Sequence, residues 1–561
     1  MKGLSLPSQR DVRRRQFAIC CARLICVHAY AKSKFMVKYA PMKPIATSTS
    51  DFATLIKKGG IYVDKTAYFH RLISNEMNNL LFLARPRRFG KSLMITALKE
   101  IFMGRRELFE GLAISNTDWK WEKWPVIHFN FGDASSASIE DFKATVTPRI
   151  KSRLQDAGYV YDDTVPPSVN FGNAIDSLSA ANGGNGVVIL IDEYDAPVSH
   201  ALADLDRAEA IRDWMGAFYQ VMKDRTGAIR FLMMTGVSKF TKMSVFSCLN
   251  NIVDISMDEE YATMLGYTEE ELEANFEEHL LVHAERMGIS YENYRAEMKR
   301  WYNGFRFAKY CTQTVYNPIS VALALNKKEP EFSATWSSTG RASSLMNCLK
   351  RWDMLAIDPD KTQFVTERAF DVTNLADLKP IGMLLQTGYL TIKNYSAGFY
   401  TLGVPDEEVR QDLNLLMTGL AAQKDVSWAA DLGARLVFCE WDDFFFGLKS
   451  LYAAMAYGPT EGRVHENSYA RCLSFLLAGS GFKFTMEDVQ ANGRADIVAS
   501  HMNGVFIFEL KVGEPVDKAF KQIREKGYAT PYLASGLPVH LIGLSFDPET
   551  RHLVDAAAEC Y

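Results

Sequence analysis

The segment 85–92, Arg-Pro-Arg-Arg-Phe-Gly-Lys-Ser, has the residue types of a phosphate-binding loop. An apolar run at 80–84 precedes it and predicts a strand, and apolar residues at helical spacing in 93–102 predict a helix after it. A helix N-terminus carries backbone N–H groups without intrahelical partners, and these groups bind anions. Strand, loop and helix therefore predict a site for a polyphosphate.

Three residues at the end of this loop carry the expected chemistry. Gly90 lets the backbone approach closely, Lys91 is placed to reach the β- and γ-phosphates, and the Ser92 hydroxyl is placed to complete a magnesium shell. The pattern G-x-x-x-x-G-K-[ST] is complete except that Arg85 replaces the first glycine. Arg88 belongs to the same loop and is counted with the binding residues. Gly-Lys-Ser alone would be better explained as a basic turn before an ordinary helix.

A second motif about a hundred residues further on strengthens this interpretation. The apolar run 187–191 ends in Asp192 and Glu193, and nucleotide hydrolases carry a metal-binding carboxylate on such a strand. Asp192 is expected to hold magnesium, directly or through water, and Glu193 to orient or deprotonate the attacking water. Thr235 ends the apolar strand 231–236 and is expected near the γ-phosphate, with simple strand termination as the equally weighted alternative.

Another group of ionisable residues lies near the C-terminus. The tetrapeptide 501–504 contains Asn-Gly between two β-rich segments and predicts a hairpin. Either two-residue turn that fits this tetrapeptide places Asp496 opposite Glu509 or opposite Lys511. Both registers put these three side chains on one face of the sheet, whereas a slip of one residue would separate them.

Two chemical interpretations fit this C-terminal group. A lysine and a glutamate two residues apart are common on a solvated strand, where their ion pair contributes little. However, the run 505–508 is apolar on both faces, which indicates a central strand. Carboxylates at the end of such a strand predict a Mg²⁺ site, with the lysine activating water or stabilising a pentacoordinate phosphate. Spacing alone weighs the two interpretations about equally.

The composition limits the class of protein. The chain has 561 residues, of which 48% are apolar and 23% charged, as expected for a soluble globular protein of about three domains. Its net charge of −4 gives no chain-wide basic field, so any nucleic-acid binding must come from a local groove. The nine cysteines form no C-x-x-C pair, which suits a reducing compartment. No apolar run reaches membrane-spanning length.

Residues 1–41 form a basic leader with three interpretations. The triple arginine at 13–15, followed by an apolar stretch, imitates a signal peptide, yet Arg23 interrupts the apolar core. Export is disfavoured because it would separate the phosphate loop from its ligand. We favour an upstream-extended reading frame with initiation at Met36 or Met42, and a disordered basic arm is the third option.

The remaining chain predicts an α/β protein with three parts. Residues 42–265 are expected to form the domain of the phosphate loop, residues 266–435 a helical lid or connector, and residues 436–561 a second α/β domain. The connector is expected to open with a capping box, because Thr268 precedes Glu271 by three residues at the start of an acidic helix.

Taken together, the motifs resemble the AAA-ATPase-like family of prokaryotic proteins that carry a C-terminal nuclease-like domain. The resemblance spans about residue 42 to the C-terminus and implies a P-loop ATPase core with a parallel sheet. An arginine at the first glycine position is similar to the family's own usage. The matching blocks are YVDKT at 62–66, RPRRFGKS at 85–92, DEYDAP at 192–197, TGVSKF at 235–240, WYNGF at 301–305 and GYLTI at 388–392.

The C-terminal group resembles the PD-(D/E)xK nuclease superfamily, whose signature is an Asp followed by E-x-K on the next strand. The motif G-R-A-D, which ends at Asp496, stands where that family has G-R-x-D. The resemblance implies that Asp496 and Glu509 hold a metal ion and that Lys511 takes part in catalysis. Glu466 looks like the helix glutamate that assists metal binding, and Gln522 looks like the polar helix residue after the core sheet.

The sequence therefore predicts a cytoplasmic ATPase fused to a metal-dependent nuclease, with ATP and Mg²⁺ as cofactors and Mn²⁺ as a substitute ion. DNA is the expected nucleic acid, RNA stays open, no membrane partner is expected, and a homo-oligomer is left open. One rival is a nucleotide-dependent switch or interaction protein whose nuclease fold does not cleave. A second rival is a peptide-remodelling ATPase that assembles into a ring.

Overall fold

A computed structural model of the protein describes residues 42–134, 137–239, 251–336, 349, 363–370, 379–456, 466–490 and 493–561. The predictions for the leader, residues 1–41, lie outside this part of the chain.

The first sheet is parallel. Its strands are β1 (Leu80–Ala84), β2 (Val126–Asn130), β3 (Val187–Asp192), β4 (Ile229–Gly236) and β5 (Val253–Asp254). Within the described residues they are hydrogen-bonded in the order β2-β3-β4-β1-β5, and every neighbouring pair is parallel. β1 and β3 are buried along their whole length, because a parallel sheet has both faces covered. The loop after β1 therefore lies at the same edge as the ends of β3 and β4.

Helices pack around this sheet. They are α1 (Phe52–Lys57), α2 (Thr66–Ser74), α3 (Lys91–Phe102), α4 (Ile139–Asp156), α5 (Pro167–Ala181), α6 (Ala196–Ala201) and α7 (Leu205–Gln220). Asp51 caps α1 by accepting a hydrogen bond from the N–H of Thr54 at 2.8 Å. Short 3₁₀ helices lie at Arg106–Phe109, Ala113–Asn116, Lys223–Ala228, Glu259–Tyr261, Glu367–Ala369 and Thr530–Ser535.

The connector begins with the predicted capping box. Thr268 Oγ1 accepts from the N–H of Glu271 at 3.2 Å, and the Glu271 carboxylate accepts from the N–H of Thr268 at 2.8 Å, which confirms the prediction. The elements that follow are α8 (Glu269–Met287), α9 (Tyr291–Tyr302), β6 (Asn303–Phe305), β7 (Val315–Tyr316), α10 (Pro318–Leu325), β8 (Gln363–Val365), α11 (Pro380–Thr387), β9 (Thr391–Ser396), β10 (Phe399–Gly403) and α12 (Glu407–Ala421).

The C-terminal part is a mixed sheet with helices. Its elements are α13 (Val426–Val437), α14 (Trp441–Ala456), α15 (Glu466–Gly479), β11 (Lys483–Gln490), β12 (Gly493–His501), β13 (Gly504–Val512), α16 (Val516–Lys526), β14 (Val539–Phe546) and β15 (Leu553–Cys560). In the described residues the strand order is β11-β12-β13-β14-β15, and only the β13–β14 pair is parallel. β13 is the middle strand, as its apolar run predicts.

The two five-stranded sheets pack against different apolar cores. The core of the parallel sheet extends into the connector through Trp336 and Met383, whereas the core of the C-terminal sheet includes Leu432 and Leu436 of α13. The predicted fold class, α/β with a parallel N-terminal sheet and a C-terminal α/β part, is confirmed. The exact domain boundaries stay predictions.

Candidate active sites

A glycine shapes the loop between β1 and α3. Gly90 is the N-cap of α3 and has a left-handed backbone with a φ of 88°, which favours glycine. A Cβ at this position would meet no atom within 4 Å, so the backbone of the helix start borders open space. The N–H groups that lack intrahelical partners at this end are therefore available to an anion.

Lys91 points back into its own loop. Its Nζ donates hydrogen bonds to the backbone oxygens of Arg85 at 2.8 Å and Pro86 at 2.9 Å. Burial lowers the pKa of Lys91, and the negative charges of Asp192 and Glu193 oppose that shift. An ammonium held, among the described residues, by two carbonyl oxygens can exchange them for phosphate oxygens, which are stronger acceptors.

Arg85 is an anchor for the loop and does not face the cleft. Its guanidinium donates to the backbone oxygens of Ala84, Ser256 and Tyr261, and it stands 4.2 Å from the ring centre of Phe307. Its burial lowers the pKa of this side chain to about 9. The arginine that replaces the first glycine of the motif therefore ties the loop to two later segments of the chain.

Asp192 is fixed by three hydrogen bonds. Its Oδ1 accepts from the Thr235 hydroxyl at 2.6 Å and from the N–H of Glu193 at 3.1 Å. Its Oδ2 accepts from the Asn130 side-chain amide at 3.2 Å. The sequence places Thr235 near a γ-phosphate, but its hydroxyl donates to Asp192, because adjacent β3 and β4 end side by side. The contact supports a role for Thr235 in positioning Asp192.

Glu193 follows directly and has an unusual backbone. Its φ is 53°, in the left-handed region, which turns the chain sharply at the strand end. A Cβ on Gly132 would lie 1.9 Å from Glu193 Oε2, so the glycine leaves room for this carboxylate. Burial and the charge of Asp192 raise the pKa of Glu193, and Lys91 opposes them. Such a carboxyl group is suited to accept a proton.

A cleft of about 600 Å³ lies between the loop after β1 and the residue that follows β3. Residues 88–92 and Glu193 line it. Asp192 accepts a hydrogen bond from the Glu193 N–H behind this lining, and Thr235 in turn donates to Asp192. The guanidinium of Arg88, whose φ is 70°, is half-buried, and the charge of Glu408 in α12 lies near it. The structure thus gathers the predicted loop residues and Glu193 around one cavity, with Asp192 and Thr235 behind its lining.

Two positioning residues escape the sequence analysis. Asn130 is the last residue of β2, and its side-chain amide donates a hydrogen bond to Asp192. Its position as a polar residue at the end of an apolar strand could have indicated this role from the sequence. Asp195 is buried beside the cleft, where its carboxylate accepts from the N–H groups of Val237 at 3.1 Å and Ser238 at 2.8 Å. Asp195 lies in the DEYDAP block and fixes the segment after β4.

The second site depends on the register of one hairpin. Ile497 pairs with Phe508 and His501 with Gly504, so the turn is the pair 502–503, one of the two predicted options. This register places Asp496 opposite Glu509. The Asp496 Oδ2 accepts a hydrogen bond from the N–H of Leu510 at 2.7 Å.

Lys511 and Gln522 complete this arrangement. The Lys511 Nζ donates to Glu509 Oε1 at 2.8 Å and to Gln522 Oε1 at 2.9 Å. The lysine side chain is 15% exposed and that of Glu509 is 1% exposed, so the ion pair is not the solvated pair of the alternative interpretation. The structure therefore brings Asp496, Glu509, Lys511 and Gln522 together.

Glu509 has an unsatisfied oxygen. Its Oε2 is buried and makes no hydrogen bond of good geometry within the described residues. Burial, and then the charge of Asp496, raise the pKa of Glu509 to about 7, against the effects of Lys511 and of a hydrogen bond from the Asp496 backbone. An unpaired anionic oxygen beside a second carboxylate is costly unless a cation binds there. This observation fits a divalent ion held by Asp496 and Glu509.

Glu466 is the first residue of α15, as predicted, but its side chain is outside the described atoms. Among the side chains that the structure describes, no group of three or more His, Cys, Asp and Glu residues is arranged to hold a metal ion. Asp496 and Glu509 are thus the two described carboxylates that could hold a metal ion at the second site, and the role of Glu466 stays a prediction.

Comparison with known proteins agrees with this organisation. The family described as "Predicted AAA-ATPase" matches residues 44–246, and the "PD-(D/E)XK nuclease superfamily" matches residues 464–556. A protein of Azotobacter chroococcum mcd 1, described as "Uncharacterized protein in vnfD 5'region", is 33% identical over 513 residues, which cover 89% of this chain and 95% of that protein. The chain belongs to the AAA-ATPase-like family with a C-terminal PD-(D/E)XK nuclease domain.

The two family matches coincide with the two sites. The AAA-ATPase-like match contains the cleft residues of the loop and the carboxylates after β3, and the nuclease match contains the β12–β13 hairpin and α16. No solved structure matches the chain. In the described part of this AAA-ATPase-like protein, no helix combines the length and the apolar character needed to cross a membrane.

Proposed function

We propose that this protein binds and hydrolyses ATP and thereby controls a metal-dependent nuclease site that cleaves DNA. The observation that carries the proposal is the buried, unpaired Glu509 Oε2, enclosed with Asp496 and Lys511. A scaffold that only binds nucleic acid has no need for an oxygen that is costly to bury without a cation. The cytoplasm, where ATP is available, is the proposed place of action.

The proposed ATP site has residues suited to bind the phosphate oxygens, to hold Mg²⁺ and to orient the attacking water. The N–H groups at the start of α3 and the ammonium of Lys91 would bind the phosphate oxygens, and Arg88 borders the same cleft. Ser92 and Asp192 would hold Mg²⁺, which screens the charge of the phosphates when it is bound. Glu193 would orient the attacking water and accept its proton, since burial raises its pKa.

In the nuclease site, Asp496 and Glu509 would hold Mg²⁺ or Mn²⁺, with Glu466 as a further proposed ligand. The ion would polarise a phosphodiester group when it is bound. Lys511 would activate the attacking water or stabilise the charge on the phosphate oxygens. Gln522 holds the Lys511 ammonium in position through its 2.9 Å hydrogen bond.

One helix supplies a physical connection between the sites. Glu408, fully buried at the start of α12, accepts hydrogen bonds from Ser320 at 2.6 Å and from the Thr335 hydroxyl at 2.7 Å. Arg88 of the nucleotide loop lies close enough to stabilise its charge. The same helix packs on α15, where a Cβ on Gly479 would lie 2.8 Å from Leu415 Cγ. A shift of Arg88 on ATP binding would therefore be transmitted to the nuclease domain.

Parallel measurements of ATP hydrolysis and plasmid nicking test this function. The unmodified protein should show both activities with Mg²⁺ or Mn²⁺. Glu509→Ala should lose nicking and keep ATP hydrolysis, because Glu509 does not line the cleft proposed to bind ATP. The absence of both activities from purified protein would refute the enzyme proposal. ATP hydrolysis without metal-dependent nicking would support the non-cleaving switch instead.

A further inference from the structure

Helix α16 covers the sheet face that carries the nuclease residues. Its Val516, Phe520 and Ile523 are buried in the apolar cluster between helix and sheet. Gln522 lies at the margin of this buried face, where its Oε1 accepts from Lys511 Nζ at 2.9 Å. One side of the helix is therefore turned toward Lys511 and the solvent in front of it.

Two lysines share that side with Gln522. Lys518 and Lys526 are four residues before and after Gln522, so each lies within about 40° of it around the helix and about 6 Å along the axis. Both side chains are exposed. The three residues form a row along the helix that is inclined to its axis, with the active-site glutamine at its centre.

The charges of these two lysines are not neutralised by neighbours. The other basic residues of α16 are paired: Lys521 with Glu525 at 3.6 Å, and Arg524 with Glu559. Within the part of the chain that the structure describes, the ammonium groups of Lys518 and Lys526 have neither an ion pair nor a hydrogen bond. The two unpaired cations thus stand on either side of the residue that contacts Lys511.

The carbon chain of Lys526 packs near the start of β12, the strand that carries Asp496. Its Cδ lies 3.5 Å from the position that a Cβ of Gly493 would occupy, at the start of β12. The carbon chain packs there while the ammonium stays exposed, as is usual for a lysine on an apolar surface. This packing limits the positions that the Lys526 ammonium can reach.

We infer that Lys518 and Lys526 bind two phosphates of a DNA backbone that runs along α16, and so place a phosphodiester bond at Lys511. The two Cα positions are about 12 Å apart, a distance that one DNA strand spans within a few nucleotides. The inference rests on the proposed nuclease function and adds the surface that holds its substrate. Because only phosphates are contacted, this binding is independent of base sequence.

Salt-dependent binding of a fluorescein-labelled 20-base-pair DNA duplex tests the inference. All proteins are full-length, carry Glu509→Gln to prevent cleavage, and are titrated by fluorescence anisotropy at several KCl concentrations. Lys518→Ala and Lys526→Ala should each lower the slope of log K against log salt by about 1, and the double variant by about 2. Lys521→Ala, which removes the paired lysine of the same helix, is the matched control and should change the slope least.

The outcomes separate the inference from the proposed function. An unchanged slope in the double variant, with the Glu509→Gln protein binding DNA, would refute the role of the two lysines and leave the nuclease proposal standing. An absence of DNA binding by the Glu509→Gln protein would refute both. A slope change as large in Lys521→Ala as in Lys518→Ala would also refute the inference, because it would indicate a general charge effect. Equal melting temperatures of all variants exclude loss of folding.

Discussion

The nucleotide cleft and the nuclease site are assembled in different ways. The described side chains of the candidate nuclease site lie within 496–522 and come from one hairpin and the helix after it. The cleft combines the loop 85–92 with Asp192, and its loop is anchored by Arg85 to Ser256 and Tyr261. A local arrangement of strands forms one site, whereas the other needs contacts between distant segments.

The difference has an energetic consequence. In the cleft, the buried Asp192 is satisfied by three donors, so its charge is stabilised before any ligand binds. In the nuclease site, Glu509 keeps an unsatisfied buried oxygen and a raised pKa. The carboxylate of the first site is hydrogen-bonded on both oxygens without a metal ion, whereas Glu509 of the second site has one oxygen without a hydrogen-bond partner among the described residues.

The largest effect is expected from Lys511→Ala. Removal of the only cation that contacts Glu509 within the described residues should lower the nicking rate by about 10²- to 10⁴-fold. ATP hydrolysis should change little, because the cleft is assembled independently. Lys521→Ala, on the neighbouring helix, is the control. Retained nicking in Lys511→Ala would show that the lysine is only a structural partner of Glu509.

Glu193→Gln should have the opposite selectivity and impair ATP hydrolysis instead of nicking. Loss of the carboxylate that faces the cleft should lower ATP hydrolysis by about 10²- to 10³-fold, as for the loss of a general base. ATP binding, measured by calorimetry, should persist because Lys91 and the α3 N-terminus are unchanged. Metal-dependent nicking measured without ATP should also persist. A parallel loss of nicking would contradict the independence of the two sites.

The stability of the metal-free protein should depend on pH through Glu509. Its pKa of about 7 exceeds the unfolded value of 4.5, so the folded state binds more protons between these values. The free energy of unfolding therefore falls as pH rises through this window, by up to about 3 kcal/mol. Glu509→Gln removes the effect and should stabilise the protein at pH 8 but hardly at pH 4.5.

Urea denaturation in a chelator at both pH values measures this difference between Glu509→Gln and the unmodified protein. Asp163→Asn, at an exposed ion pair of the other domain, controls for general charge effects. Equal destabilisation of Glu509→Gln at both pH values would contradict a buried carboxylate that titrates near neutrality.

Gly132→Ala tests whether ATP hydrolysis depends on the position of the Glu193 carboxylate. The new Cβ would lie 1.9 Å from Glu193 Oε2, so the carboxylate must move while the backbone of Gly132 is not strained. We expect the rate of ATP hydrolysis to fall about tenfold, because a small displacement of a catalytic group lowers the reaction rate more than it weakens substrate binding. Gly227→Ala, where a Cβ meets nothing within 4 Å, is the matched control and should retain full activity.

The smallest effect is expected from Glu408→Gln. This change keeps a hydrogen-bonding side chain for Ser320 and Thr335 but removes the charge near Arg88. The effect of ATP on the nicking rate should shrink by at least about fivefold, with ATP hydrolysis retained. Glu407→Gln, on the same helix turn, should leave the effect intact. An unchanged ATP effect in Glu408→Gln would exclude α12 as the connection.

How far the sequence could predict each site follows from the same comparison. The gathering of Asp496, Glu509 and Lys511 was predictable because side-chain alternation and a two-residue turn determine a hairpin's faces. The side chains of the cleft were harder to place. The contact of Arg85 with Tyr261 joins residues 176 positions apart, and no local pattern specifies it. The structure places Thr235 beside Asp192 because β3 and β4 are adjacent. The residue pattern of a strand does not specify which partner a threonine hydroxyl contacts at its end.

Paired rates from one set of preparations test the central claim most directly, namely that one chain holds two separate sites for phosphate chemistry. ATP hydrolysis, and plasmid nicking with Mn²⁺ in the absence of ATP, are measured for the unmodified protein, Glu193→Gln and Lys511→Ala. The account predicts that Glu193→Gln loses only hydrolysis and Lys511→Ala loses only nicking. It is contradicted if either substitution abolishes both activities in folded protein, or if the unmodified protein has neither.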